Sequence, residues 1–253
     1  MTVYLDNNIF IYLENSTLTI SDLKDRISPN LTDFFYSSAH IQETEEIKGK
    51  TELIRKERID RRLKTIETIT DSKYLYHNLD DGKVYLLNEK PENVLDTIRD
   101  VPFANAMMKG LINMIGESER EKFRLQLGLD SKRLNNYDSK EVVEHLNTRL
   151  NEWGNMTLIE MIEKGVELHP QGKDFGLNNR FAGIFELLDM LGYWTDKYNE
   201  KSNYARLWDS NHAYFASFCD FFISDDKRTR NRARVVYNIY NIKTRIYSSK
   251  GIT

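Results

Sequence analysis

Four carboxylates occupy comparable places in the sequence, each next to an apolar segment typical of a β-strand or on a helix that adjoins one. They are Asp6, Glu43, Asp209 and Asp226. If these strands run parallel in one sheet, side chains just past their carboxyl ends converge on one crevice. Like charges at such range repel, so some of the carboxylates must take up protons or recruit a cation. An all-oxygen cluster without sulfur ligands selects a hard ion, Mg²⁺ or Mn²⁺.

The elements that must position these acids are short strands, each closely associated with a helix. Asn7 or Asn8 is expected to cap a helix running through Leu13, and Ser38 to cap a helix that carries Glu43. Strand–helix alternation at both ends of the chain predicts an α/β fold with a parallel sheet flanked by helices. The apolar runs that predict the strands are residues 2–5, 33–38, 221–223 and 244–247.

The middle of the chain has a different pattern. Residues 45–70 are highly charged, with apolar residues at roughly helical spacing, which predicts an amphipathic helix. Two β-rich arms in residues 73–88 flank Asp81-Gly82, a strong hairpin signal. Residues 91–202 predict a series of helices, and two of these begin with capping boxes, at Asp138 and at Thr157.

These patterns predict two domains. The two chain ends, residues 1–47 and 203–253, are expected to form the α/β domain. Residues 48–202 are expected to form a mainly α-helical insertion that contains the β-hairpin.

The overall composition excludes several classes of protein. The chain has 253 residues and a net charge of −3, which suits a globular protein with a real core. Its one cysteine, Cys219, excludes an internal disulfide framework and a zinc site of several thiolates, and we expect it in the core. No stretch approaches the roughly 18–20 apolar residues of a membrane span, and the N-terminus lacks a basic region. We therefore expect a cytoplasmic protein with no membrane contact.

The near-neutral total conceals two basic segments. Residues 48–64 carry a local charge of +5 and residues 226–253 one of +7, which leaves −15 on the rest. Such segments could bind phosphates by displacing counterions; alternatively they form solvated helical faces or pair with the chain's own acids. Because alternate helix positions do not share a face, at most two arginines of residues 227–240 could meet a substrate together. The candidate phosphate-binding residues there are Lys227, Arg228, Arg230, Arg232 and Arg234.

Three segments resemble the motifs of PIN-domain nucleases. The segment 4–11, YLDNNIFI, resembles the family's first strand with its terminal Asp, and 37–43, SSAHIQE, resembles its second acidic segment. The segment 209–227, from Asp209 to Ser224-Asp225-Asp226-Lys227, resembles the third, in which an Asp stands two residues after a Ser or Thr. The resemblance covers residues 1–47 and 203–250, whereas 48–202 have no counterpart in a minimal PIN domain.

The resemblance implies metal-dependent hydrolysis of phosphodiester bonds, most often in RNA. It implies that Asp6 and Asp226 are the most direct ligands of Mg²⁺ or Mn²⁺, with Glu43 and Asp209 completing the shell or holding metal-bound waters. A set of nearby polar residues would bond to these carboxylates or waters: Ser224, His212, Asn7 and Asp225. We expect an endoribonuclease that acts as a toxin or as an antiviral-defence effector. We also expect the helical insertion to bind a protein inhibitor or an activating subunit.

Alternatives remain at both the residue level and the level of function. Asp6 could simply cap a helix, Glu43 could be a surface residue, and Asp226 or Asp225 could cap the basic helix. The substrate could be DNA or tRNA rather than other RNA. The chain could also be a catalytically inactive adaptor whose insertion docks a partner protein.

Overall fold

A computed structural model describes residues 1–99, 116–167, 176–195 and 200–252 as an α/β structure with two compact units. The first unit contains the sheet and the second is helical. Among the described residues, no helix has both the length and the apolar character that crossing a bilayer requires. The first unit consists of Met1–Ala104, Phe215–Arg230 and Lys243–Thr253, and the second of Asn105–Tyr214 and Asn231–Ile242.

The sheet of the first unit has six strands in the order β4-β3-β2-β1-β5-β6. All neighbours are parallel except β3 and β4, which are antiparallel. The strands are β1 (Thr2–Leu5), β2 (Asp33–Ser37), β3 (Lys73–His77), β4 (Val84–Asn88), β5 (Phe221–Ile223) and β6 (Arg245–Tyr247). The helices within this unit are α1 (Asn7–Glu14), α2 (Ile20–Arg26), α3 (Ser38–Glu45), α4 (Glu52–Thr70) and α5 (Pro91–Arg99).

Strand β1 lies at the centre of the sheet between β2 and β5. Val3 is aligned with Phe34 on one side and with Phe221 on the other. Parallel strands need crossover connections, and α1 with α2, and α3 with α4, supply them. The β1 residues Val3, Tyr4 and Leu5 are fully buried, as the apolar run of a parallel-sheet strand predicts.

The hairpin predicted in residues 73–88 is confirmed, but it extends the sheet and is not part of an insertion. Strand β3 pairs in parallel with β2, aligning Tyr36 with Tyr74. Helix α4 turns Ile59, Leu63 and Ile66 into the core of the same unit. Because this apolar stripe needs the sheet to cover it, the sheet unit continues well past the expected boundary at residue 47.

The second unit contains the remaining helices. The capping box at Asp138 is confirmed, because its side chain accepts from Glu141 N–H and Glu141 binds back. That at Thr157 is confirmed by its reciprocal bonds with Glu160. The helices are α6 (Glu117–Gln126), α7 (Ser131–Leu134), α8 (Ser139–Gly154), α9 (Leu158–Glu167), α10 (Leu177–Leu191) and α11 (Glu200–Ala216), with the later part of α12 (Lys227–Ile239).

A buried ionic cluster lies inside the second unit around Asp189. Arg120 Nη1 donates to Asp189 Oδ2 at 2.7 Å, and Arg232 Nη2 donates to Oδ1 at 2.9 Å. Arg206 Nη1 forms an ion pair with Oδ2 at 3.1 Å. Arg120 and Arg206 also pair with Glu186. All three arginines and Asp189 are buried, so one carboxylate partners three guanidinium groups away from water.

Candidate active site

Asp6 and Ser224 meet where β1 and β5 end side by side. The two strands align Leu5 with Ile223, and Asp6 N–H continues the ladder by donating to Ile223 O at 2.8 Å. Ser224 Oγ then donates to Asp6 Oδ2 at 2.5 Å and accepts the N–H of Asp226 at 3.1 Å. One buried hydroxyl therefore links the Asp6 carboxylate to the backbone of Asp226, from opposite ends of the chain.

The Asp6 carboxylate also accepts hydrogen bonds from Asn7 and Asn8, and Asp6 as a whole residue is only 4% exposed. Its Oδ1 accepts Asn7 N–H at 2.7 Å, and its Oδ2 accepts Asn8 Nδ2 at 2.5 Å. Asp6 is itself the N-cap of α1, which corrects the expectation that Asn7 or Asn8 caps this helix. The capping alternative for Asp6 is thus realised, and the same side chain also joins α1 to the end of β5.

Asn8 is a site residue that sequence reasoning missed. Besides Asp6, its Nδ2 contacts Ser224 Oγ at 3.4 Å, and its Oδ1 accepts Asp225 N–H at 3.2 Å. The one sequence signal for it is its position two residues after Asp6, at the start of the helix.

The side chain of Asn7, which was expected near the ligands, is held elsewhere. Its Oδ1 accepts Arg62 Nη1 at 2.8 Å, and the same arginine pairs with Glu14 at 2.6 Å. Asn7 therefore supports Asp6 through its backbone N–H, while its amide anchors α1 to α4.

Asp226 caps the basic helix α12. Its Oδ1 accepts the N–H of Arg228 at 2.7 Å and that of Thr229 at 3.1 Å. Its Oδ2 makes no hydrogen bond within the part of the chain that the structure describes. The capping alternative for Asp226 is therefore also realised, and it occupies only one of the two carboxylate oxygens.

Asp225 has a structural partner. Ser249 donates its N–H to Oδ1 at 2.8 Å and its hydroxyl to Oδ2 at 2.7 Å. Both oxygens are engaged, so Asp225 ties the segment after β6 to the loop after β5.

Arg230 supplies a positive charge within this acidic group. It is 8% exposed, and its Nη1 donates to Ser224 O at 2.7 Å. Burial lowers the pKa of Arg230, whereas the negative charges of Asp225, Asp226 and Asp6 act to raise it. The three acids are therefore close enough to one guanidinium to stabilise its charge. Among the described residues, Nε of Arg230 has no hydrogen-bond partner.

The second acidic segment begins with Ser37, which caps α3 in place of the expected Ser38. Tyr4 Oη is 2.6 Å from Ser37 Oγ, and Ser37 N–H donates to His40 Nδ1 at 3.1 Å. Because Nδ1 accepts a backbone N–H, the ring proton is on Nε2, which donates to Leu5 O at 2.7 Å. Both nitrogens of His40 are thus engaged in positioning the end of β1.

Glu43 acts on the same region electrostatically. The pKa of Tyr4 is raised well above its ordinary value, chiefly by burial, and the charges of Asp6 and Glu43 raise it further. Glu43 is half-buried on α3. The charges of Asp6 and Glu43 therefore reach one buried phenol.

Asp209 and His212 lie on α11, in its second-unit portion. Asp209 is half-buried and His212 is buried. Their membership of the acidic group stays a prediction. Cys219 is buried as expected, and burial raises the pKa of its thiol.

The five candidate phosphate-binding residues separate into different environments. Lys227 and Arg228 are exposed, whereas Arg230 lies against the acids. Arg232 was expected on a phosphate-binding face, but it is fully buried and paired with Asp189, because its position shares the apolar face of Ala233 and Val236. Arg234 is half-buried and donates to Asn231 Oδ1 at 3.0 Å.

The donor chemistry of Asp6 and Asp226 fits a small hard cation. Over the described residues, no group of three or more His, Cys, Asp or Glu is arranged to hold a metal ion. Mg²⁺, however, is commonly bound by one or two carboxylates, with water and substrate phosphate as its other ligands. Asp6 binds Ser224 through its carboxylate and Asp226 binds the same hydroxyl through its backbone N–H, so the two residues supply two carboxylates.

Comparisons with protein-family models, curated proteins and solved structures found no significant match. The resemblance to PIN-domain nucleases therefore stays an expectation from the motif residues.

Proposed function

We propose that this chain is a divalent-metal-dependent endoribonuclease that hydrolyses RNA phosphodiester bonds. The observation that carries the proposal is the Ser224 hydroxyl, which joins the Asp6 carboxylate to Asp226 at the ends of two adjacent parallel strands. Parallel α/β folds bind their ligands in the crevice outside the carboxyl ends of their strands, which is where Asp6 and Ser224 lie.

The residues of the site have separate tasks in this proposal. Asp6 and Asp226 would hold Mg²⁺ or Mn²⁺, an ion that would polarise the scissile phosphate and lower the pKa of a bound water. Ser224 and Asn8 fix the orientation of the Asp6 carboxylate through their hydrogen bonds. Arg230 offsets repulsion among the three acids before a cation arrives.

The exposed start of α12 supports a nucleic-acid substrate. Lys227 and Arg228 follow Asp226 directly and lie on the surface of the first unit. Cations beside the acids would meet the phosphates that flank the scissile bond and add salt-dependent affinity.

Metal dependence tests this proposal. We expect the purified chain to cleave labelled single-stranded RNA in Mg²⁺ or Mn²⁺, to stop in EDTA, and to recover when Mn²⁺ is restored. Parallel reactions on tRNA and on single- and double-stranded DNA separate the substrate classes. Absence of metal-dependent cleavage on every RNA substrate would contradict the proposal.

A non-catalytic adaptor is the second candidate function, and one observation favours it. The charge of Arg230 acts on Asp6 and Asp226, so a guanidinium could replace the cation permanently. Titration calorimetry with Mn²⁺ separates the two functions, because an adaptor with a vestigial site would show no binding heat that depends on Asp6.

A further inference from the structure

Strand β4 is an edge strand with an unusually apolar surface. It ends the sheet order, and within the described chain no strand pairs with its outer edge. Tyr85, Leu86 and Leu87 are 41%, 58% and 43% exposed. No residue of Val84–Asn88 carries a charge. Edges without charge or proline protection readily pair with another strand.

The hairpin fixes which backbone groups of β4 face outward. Glu89 N–H donates to Ser72 O, and Asn78 N–H donates to Lys83 O, so Lys83 and Glu89 belong to hydrogen-bonded pairs with the β3 side. Such pairs alternate along an antiparallel ladder. Tyr85 and Leu87 therefore also bond towards β3, while Val84, Leu86 and Asn88 direct their N–H and C=O groups to the open edge.

We propose that β4 pairs antiparallel with β4 of a second copy of this chain, about a twofold axis at Leu86. In this register Leu86 faces the partner's Leu86, and Val84 faces the partner's Asn88. All of these positions direct their backbone groups outward, so the two edges complete each other's ladder. The two sheets then form one continuous sheet through a self-complementary interface.

The charges that flank β4 select this register and this occupant. Lys83 and Glu89 stand three residues on either side of Leu86, so each Lys83 faces the partner's Glu89. Glu89 is already held, since its Oε1 accepts Asn93 Nδ2 at 2.5 Å. A register shifted by two residues keeps the backbone pattern but places Lys83 opposite the partner's Leu87 or the partner's Pro91. Lys83 and Glu89 belong to the same segment, so both ion pairs form when two copies of that segment pair in this register. The charge complementarity therefore favours a second copy of the chain as the partner.

Sedimentation equilibrium of the full chain tests the pairing between about 1 and 200 µM, a range suited to short strand edges. We expect a species of twice 29.9 kDa at the upper end. Leu86→Lys places two ammonium groups together on the axis and should raise the dimer dissociation constant at least about tenfold. The matched control is Leu79→Lys, because Leu79 is also 58% exposed but lies in the hairpin loop.

Charge reversal tests the register. Lys83→Glu and Glu89→Lys should each weaken self-association, while a mixture of the two variants should form a heterodimer with both ion pairs restored. Thermal melting by circular dichroism reports folding, and Lys83→Glu leaves the Glu89 contact to α5 intact. A wild-type chain that is monomeric throughout, equal effects of Leu86→Lys and Leu79→Lys, or no association in the mixture would overturn the proposal.

Discussion

Asp6→Asn is expected to lower metal-dependent RNA cleavage by a factor of about 10³ or more, because loss of the ligand charge removes several kcal/mol of transition-state stabilisation. Folding should survive the change with a lower melting temperature, because the amide has one acceptor oxygen whereas Asp6 accepts hydrogen bonds through both carboxylate oxygens. Asparagine caps helices about as well as aspartate, and its amide keeps the size of the carboxylate. Initial cleavage rates at saturating Mn²⁺, compared between wild type and variant, measure the effect.

The matched control for this experiment is Asp33→Asn. Asp33 begins β2, at the strand's amino end, where its hydrogen bond with Lys73 at 2.7 Å lowers the pKa of its carboxyl. This variant should cleave RNA at the wild-type rate. If Asp6→Asn also cleaves at that rate, the site assignment is wrong.

Asp189→Ala should produce the largest loss of stability in the second unit. Removing the carboxylate leaves Arg120, Arg206 and Arg232 buried without the group they share. Breaking one buried ion pair typically costs about 3–5 kcal/mol, because the remaining charge stays desolvated. We therefore expect the melting temperature to fall by on the order of 10 °C, measured by calorimetry.

An exposed ion pair provides the control for this prediction. Arg149 and Glu152 pair at 3.0 Å with side chains 39% and 59% exposed. Because water screens such pairs, Glu152→Ala should shift the melting temperature by less than about 2 °C. A similarly small shift for Asp189→Ala would show that the buried cluster does not stabilise the fold.

Local signals account for what the sequence predicted correctly. The apolar run 2–5 before Asp6 and the run 221–223 before Ser224 each mark a buried strand. Capping boxes at Asp138 and Thr157 require residues only three positions apart.

Two misses are local, because Asp6 and Ser37 cap α1 and α3 one or two positions before the expected residues. The other missed features depend mostly on partners distant in sequence. Nothing local shows that β3 pairs with β2, so the hairpin was assigned to the insertion. The basic run 227–234 conceals Arg232, whose partner Asp189 lies 43 positions away. Likewise, Asp225 is held by Ser249, 24 positions further on. The sequence shows which residues are charged, but only the tertiary packing shows which of them are buried.

Anomalous scattering from Mn²⁺-soaked crystals tests most directly whether Asp6 and Asp226 share a divalent ion. The proposed function predicts an anomalous peak within about 2.1 Å of an oxygen of each carboxylate, the distance of a small hard cation. The Asp226 ligand should be Oδ2, since Oδ1 caps α12. Carboxylates still bound only to Ser224, Asn8 and the backbone, with no peak between them, would contradict it.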